Sequence, residues 1–309
     1  MIAFIFPGQG SQSVGMAQDL YEGSVAARAV LDDLAAALDF PLLQLMFEGP
    51  AEELTLTQNA QPALLAHSAA VAALLAEAGV QPQMVAGHSL GEYSALVGAG
   101  RLTPVEGAKL VRVRGELMAE VGTQVGGTMA AVIGLAEDKL TAAVAEAGQV
   151  GTVVLANLNA SDQIVISGEE PAVKRAGELA QEAGAKRVIP LAVSGAFHSP
   201  LMQPAAERLS EALAGVDLQP AQVPVVSNVD ATPRTEPDEV RQALVAQLTS
   251  SVRWDDCLRA MVGAGVTTFV EVGPGKVLTN MVRRGFPDAT CHATGDLAGV
   301  QAAIEALVG

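Results

Sequence analysis

Basic, aromatic, histidine and cysteine residues are all scarce in this chain of 309 residues. The 18 Lys and Arg against 34 Asp and Glu leave a formal net charge of −16, which removes the basic face that nucleic-acid binding needs. Two cysteines, Cys257 and Cys291, cannot build a disulfide framework and read as buried small hydrophobes. The four histidines form no cluster with cysteines or carboxylates at metal-ligand spacing. No apolar run reaches the length of a membrane span. The apolar stretch Ile2–Phe6 is too short for a signal peptide and lacks its basic flank. These absences point to a cytoplasmic protein without nucleic-acid or membrane partners. Aromatics make up only 3% of a chain that is 50% hydrophobic, so the core must be built from Ala, Val and Leu. Small apolar side chains suit closely packed helix-on-sheet layers.

What is present starts with Gly87-His88-Ser89-Leu90-Gly91, a G-x-S-x-G between a short apolar run and a helix-forming stretch. A serine on such a strand-to-helix elbow points its hydroxyl out of the sheet. Free N–H groups at the following helix start can hold an oxyanion. The motif therefore predicts an acyl-enzyme on Ser89. Ser89-Leu90-Gly91-Glu92 is also S-x-x-E, a capping box that starts an ordinary helix. The flanking glycines favour the elbow, since a plain cap needs neither.

Along the chain, Ile2–Phe6 reads as a buried strand ending in the glycine-rich loop Pro7-Gly8-Gln9-Gly10. Helical patterns are predicted over 26–38 and 61–78, then after the elbow to Val97, then from the Thr103 cap and Pro104 to about Val121. Gly126-Gly127 opens a segment reading βαββαβ, with Asn157-Leu158-Asn159-Ala160-Ser161 as its internal turn. That order is the split βαβ, ferredoxin-like pattern. Strands and helices then alternate again, which argues for a mostly parallel sheet covered on both faces. The expected organisation is an α/β core from 1–125 and 194–309, with 126–193 inserted as a small subdomain.

The search for a base is short. His67 sits inside an apolar helix and reads as packed; His292 has no supporting motif; His88 adjoins Ser89 and should project away from it. His198 stands in a loop before a helix capped by Ser199, where catalytic residues collect in α/β sheets, and is the predicted base. No carboxylate between Ser89 and His198 stands out as a third member, so a triad and a Ser–His dyad with a neutral orienting acceptor both remain open. Arg114 shares a helical stripe with Gly107, Leu110, Val111, Leu117, Met118 and Val121. A guanidinium in the middle of an apolar face is costly unless it meets an anion, either an acid of the protein or a substrate carboxylate. Gly273-Pro274-Gly275-Lys276 lacks the P-loop pattern and reads as a tight turn.

Together, Phe6-Pro7-Gly8-Gln9-Gly10-Ser11-Gln12, Gly87 to Glu92, Arg114-Gly115, Gly195-Ala196-Phe197-His198 and Glu271 to Lys276 resemble the malonyl-CoA:acyl carrier protein transacylases over nearly the whole chain. The resemblance implies a hydrolase-like α/β core with an inserted ferredoxin-like subdomain. It implies Ser89 as the acylated nucleophile and His198 as its acid/base partner, a dyad rather than a triad. It further implies an oxyanion hole from the N–H groups of Gln9 and Leu90, Arg114 as the malonyl-carboxylate site, and Gln247 as a supporting residue. By pattern alone Gln247 is an ordinary helix-surface residue. The Gly195–His198 loop is similar to the malonyl-selecting version in related polyketide acyltransferases, with Gly195 departing from a frequent histidine. Malonyl-CoA and acyl carrier protein are the implied partners of a monomer that needs no cofactor, in fatty acid synthesis or as a trans-acting polyketide enzyme. A serine hydrolase or thioesterase is the competing reading. Because both this chain and carrier proteins are acidic, docking calls for a local basic patch. Lys186-Arg187 and Arg283-Arg284 with Lys276 are candidates, with a merely solvated surface as the alternative.

Overall fold

The computed structural model describes residues 1–220 and 222–309. Ten strands run in chain order: β1 (Ile2–Phe6), β2 (Met84–Gly87), β3 (Thr128–Ile133), β4 (Val153–Ala160), β5 (Gln163–Gly168), β6 (Arg187–Pro190), β7 (Val225–Val226), β8 (Pro233–Arg234), β9 (Thr268–Glu271) and β10 (Thr290–Ala293). Six form the larger sheet in the order β10-β9-β1-β2-β7-β8, all parallel except the edge strand β8.

Strand β1 lies in the interior of that sheet, and its alternation sorts side chains between two cores. Phe4 and Phe6 enter the larger core with the helices Thr57–Glu77 and Pro104–Val125. Ala3 and Ile5 face the opposite core, which holds Trp254, Leu258 and Met281. The Thr57–Glu77 helix is buried along most of its length and is rich in alanine. Its neighbour Pro104–Val125 starts at a capping box between Thr103 and Glu106, with Pro104 in the first turn. The two helices come close enough that a Cβ on Gly115 would stand 2.7 Å from Gln58 Cα. That approach sets Arg114 against the first helix.

The remaining strands form an antiparallel sheet in the order β4-β5-β3-β6. With helices Glu137–Ala147 and Glu170–Glu182 it follows the βαββαβ order. Ala130 and Val132 face those helices, while Met129 and Ala131 join the large core. The expected turn over 157–161 is instead strand: β4 continues to Ala160 and the chain reverses at Ser161-Asp162. The reason is tertiary. Asn157 bridges Val252, whose N–H donates to Ala156 O at 2.8 Å and whose carbonyl accepts from Leu158 N–H at 2.9 Å. These long-range bonds outweigh the turn preference of the asparagines. Cys257 is buried as expected, but Cys291, on the edge strand β10, is only half-buried.

Candidate active site

The elbow at Ser89 is a consequence of close backbone packing. A Cβ on Gly87 would collide with the Gly91 carbonyl carbon, and one on Gly91 with the Phe6 carbonyl oxygen. Only glycine fits both positions. Between them Ser89 has φ 52°, a left-handed conformation that costs energy for a residue with a side chain. Asn228 holds it there: its Oδ1 accepts the Ser89 N–H at 2.8 Å and its Nδ2 donates to Gly87 O at 2.8 Å. The capping-box alternative is not what the chain forms. The helix Gly91–Gly98 has no side-chain cap, and Glu92 turns inward, fully buried. Its Oε2 accepts from Asn228 N–H at 3.1 Å and Gln247 Nε2 at 2.7 Å. Burial pushes the Glu92 carboxyl up to about 7.

His198 is the second left-handed residue of the site, with φ 57°. Its Nε2 lies 2.8 Å from Ser89 Oγ and its Nδ1 lies 2.9 Å from the main-chain carbonyl of Gln247. A carbonyl can only accept, so Nδ1 carries the proton and Nε2 is free to accept from the serine hydroxyl. The third member left open by sequence is thus a neutral peptide oxygen. Burial, then the nearby Arg114 charge, hold the imidazole down at about 3. It therefore rests neutral, as a base must.

Arg114 is 1% exposed. Its Nη1 donates to Gln61 Oε1 at 2.8 Å, and its Nη2 to Gln247 Oε1 and Ser89 Oγ at 3.0 Å each. The Tyr93 ring lies beneath it at 5.3 Å. None of the ion pairs among the described residues includes Arg114. Of the two partners that sequence left open, an acid of the protein in contact with Arg114 is absent among the described residues. Arg112, two residues earlier, instead pairs with Glu116 at 2.7 Å and covers Phe40.

Gln247 is fully buried, against its pattern reading as a surface residue. It completes the buried stripe Val240, Ala243, Leu244, Gln247. The signal was available: a polar side chain on an apolar stripe, as at Arg114. Gln61 carries a weaker signal, since the first turn of its helix is polar at Gln58 and Asn59 as well. Asn228 carries none, since it sits in a loop after the two-residue strand β7.

These groups open on a cavity of about 360 Å³ lined by Gln9, Ser89, Leu90, Arg114, Phe197 and His198 among others. Among the described residues, neither the Gln9 nor the Leu90 N–H donates to a backbone acceptor. His88 also reaches the cavity wall; its Nε2 meets Asn159 Oδ1 at 2.7 Å and its ring packs edge-on to Trp254. His67 is packed in its helix, with burial holding it at about 4. His292 lies on β10, on the far edge of the sheet. No group of three metal-binding side chains occurs among the described residues.

Residues 3–304 match the acyl transferase domain. The chain is 48% identical over 307 residues to the malonyl CoA-acyl carrier protein transacylase of Bacillus subtilis, covering 99% of this chain and 97% of that one. It is 43% identical to the Escherichia coli K12 protein of the same name, over 98% of each chain. A solved complex of a type II polyketide acyl carrier protein with its malonyl-transacylase superposes with a TM-score of 0.95, at 41% identity and 99% coverage of both. With an elbow serine, a neutral histidine and an unpaired arginine converging in one cavity, this chain belongs to the malonyl-CoA:acyl carrier protein transacylase family.

Proposed function

We propose that this chain moves the malonyl group of malonyl-CoA onto the phosphopantetheine thiol of an acyl carrier protein, through a malonyl ester on Ser89, to supply fatty acid synthesis. The observation that carries this reading is Arg114: a buried guanidinium in contact with the nucleophile and with neutral side chains only. Such a group rewards a substrate that brings its own carboxylate.

The chemistry follows from the hydrogen bonds. His198 Nε2 takes the Ser89 proton as Oγ bonds to the thioester carbon. The N–H groups of Gln9 and Leu90 receive the oxyanion. Collapse breaks the carbon–sulfur bond, and the imidazolium returns its proton to the departing coenzyme A sulfur. In the ester Oγ is a poorer acceptor, which frees Arg114 Nη2 for the malonyl carboxylate. The pantetheine thiol then repeats the sequence in reverse, giving its proton to His198. The Gln247 carbonyl holds the ring in one tautomer throughout. Two thiols and one serine balance both steps, so no cofactor is required.

Residues 126–193 act in this reading as an inserted subdomain whose far end receives the carrier. Arg187 stands opposite Ile133, which stands opposite Gln163, and Gln163 Oε1 accepts from Arg284 Nη2 at 2.9 Å. Arg187 and Arg284 are thereby brought to one side of the small sheet, both exposed, with Lys276 at the other end of helix Val277–Gly285. No described helix is long and apolar enough to cross a membrane. A cytoplasmic monomer is the setting this reading assumes.

Mass spectrometry after mixing with malonyl-CoA tests the function. A malonyl adduct on Ser89, discharged by acyl carrier protein and slowly by water, is expected. Release of free malonate without carrier acylation would establish hydrolysis instead.

A further inference from the structure

The arginine that meets no acid directly has one at second remove. Glu92 and Glu271 are the acids fully buried among the described residues, and Glu92 lies inside the Ser89 network. Gln247 joins the two charges, its Oε1 accepting from Arg114 and its Nε2 donating to Glu92. Both groups hydrogen-bonded to Glu92 donate to its Oε2: the Asn228 N–H and the Gln247 Nε2. A donor-only surrounding favours a carboxylate over a carboxylic acid. The amide orientation follows. Gln247 Nε2 faces the acceptors Ser89 O, Glu92 Oε2 and Asn228 Oδ1, so Oε1 must face Arg114.

We propose that Glu92 is the standing counter-charge of Arg114, held one amide away through Gln247. The inference rests on the reading that Arg114 receives the malonyl carboxylate. A guanidinium buried with no negative charge nearby is costly in the free enzyme. A carboxylate in direct contact would fill the guanidinium fork and compete with substrate. An acid one amide removed lowers the first cost and leaves the fork open. Glu92 is thus a positioning residue, acting through Gln247 and touching no reacting atom.

The test is Glu92→Gln, alone and combined with Arg114→Ala, run at pH 8.5, above the value of about 7 to which burial raises this carboxyl, so that Glu92 carries its charge. Glutamine keeps a carbonyl acceptor for Asn228 and Gln247 and places its amide N–H on the side of the unpartnered Oε1, so the charge is what is lost. Glu92→Gln is expected to lower the denaturation midpoint of the wild type, where it strands Arg114. In the Arg114→Ala background it is expected to raise the midpoint, because Glu92 then keeps only the charge of Arg234, which is itself paired with Asp230. The KM for malonyl-CoA in the loading reaction should fall roughly threefold to tenfold, within the range for coupled residues of one network. Turnover to the carrier should fall with it, as the carboxylate leaves a barer arginine. A shift of the same sign in both backgrounds, or a KM unchanged or raised, overturns the proposal. Where a single variant fails to fold, the comparison of Arg114→Ala with the double variant decides: a double variant no more stable overturns it. Wild type that forms no malonyl adduct removes the function reading itself; wild type that loads normally leaves that reading standing and isolates the fault to Glu92.

Discussion

Two guanidinium groups are buried in different regions of this molecule, and they do different things. Arg101 is 0% exposed and Arg114 is 1% exposed. Arg101 follows the elbow helix, where its Nη1 and Nη2 donate to the main-chain carbonyls of Arg234 and Thr235 at 3.4 and 2.6 Å. It ties the edge strand β8 to the core, away from any reacting group. Arg114 is met by two glutamine side chains and the nucleophile, and it borders the cavity. Burial of a charge alone therefore does not mark a binding site. A guanidinium held by main-chain carbonyls is a structural tie. One held by neutral side chains at the wall of a cavity, as Arg114 is, has the geometry the proposed function needs for an anion from outside.

The largest expected effect comes from removing what Arg114 touches and Arg101 does not. Ser89→Ala should abolish the malonyl adduct and lower transfer by roughly 10³-fold or more, measured as carrier acylation. Arg101→Ala should cost about 1.5–3 kcal/mol of stability by denaturant melting, because it removes hydrogen bonds from a charged donor and leaves two carbonyls short. It should leave the preference for malonyl over acetyl intact. A changed preference would break the contrast between the two arginines.

Beside Arg114, the His198 ring should stay neutral. Its folded value of about 3 lies below the ordinary histidine value, so in the folded protein it takes no proton between pH 8 and pH 5. NMR of the imidazole should show no titration there, and a midpoint near 6.5 would contradict the dry, Arg114-facing environment. The sign for stability follows. Below pH 6.5 the unfolded chain binds a proton at this residue and the folded chain does not, so this contribution to stability falls as the pH drops toward 3.

The smallest effect concerns arginines that are not buried at all. Charge reversal at Arg187 and Arg284 together should raise the KM for acyl carrier protein several-fold at low salt, with malonyl-CoA loading unchanged. An unchanged carrier KM would make that surface merely solvated.

Ser89, His198 and Arg114 were legible because each sits in a local pattern: an elbow between strand and helix, a loop before a capped helix, and a charge on an apolar stripe. Gln247 was reached through family resemblance, although its stripe carried the same signal as that of Arg114. Asn228 and Glu92 were not legible as site residues, because their partners lie far along the chain and only the fold brings them together. The turn expected at 157–161 failed for a similar reason, since the pairing of β4 with Val252 is set by tertiary contact. Local patterns single out the groups proposed to react, and long-range contacts supply the hydrogen bonds around them.

Selection of the acyl group by Arg114, as proposed, has a direct test. Competition between malonyl-CoA and acetyl-CoA for Ser89, read by mass spectrometry of the acylated protein, tests it most directly. Wild type should carry malonyl almost exclusively. Arg114→Ala should load malonyl far more slowly and carry the two acyl groups in comparable amounts, since the carboxylate has lost its partner. A variant that keeps the wild-type malonyl preference would contradict the account.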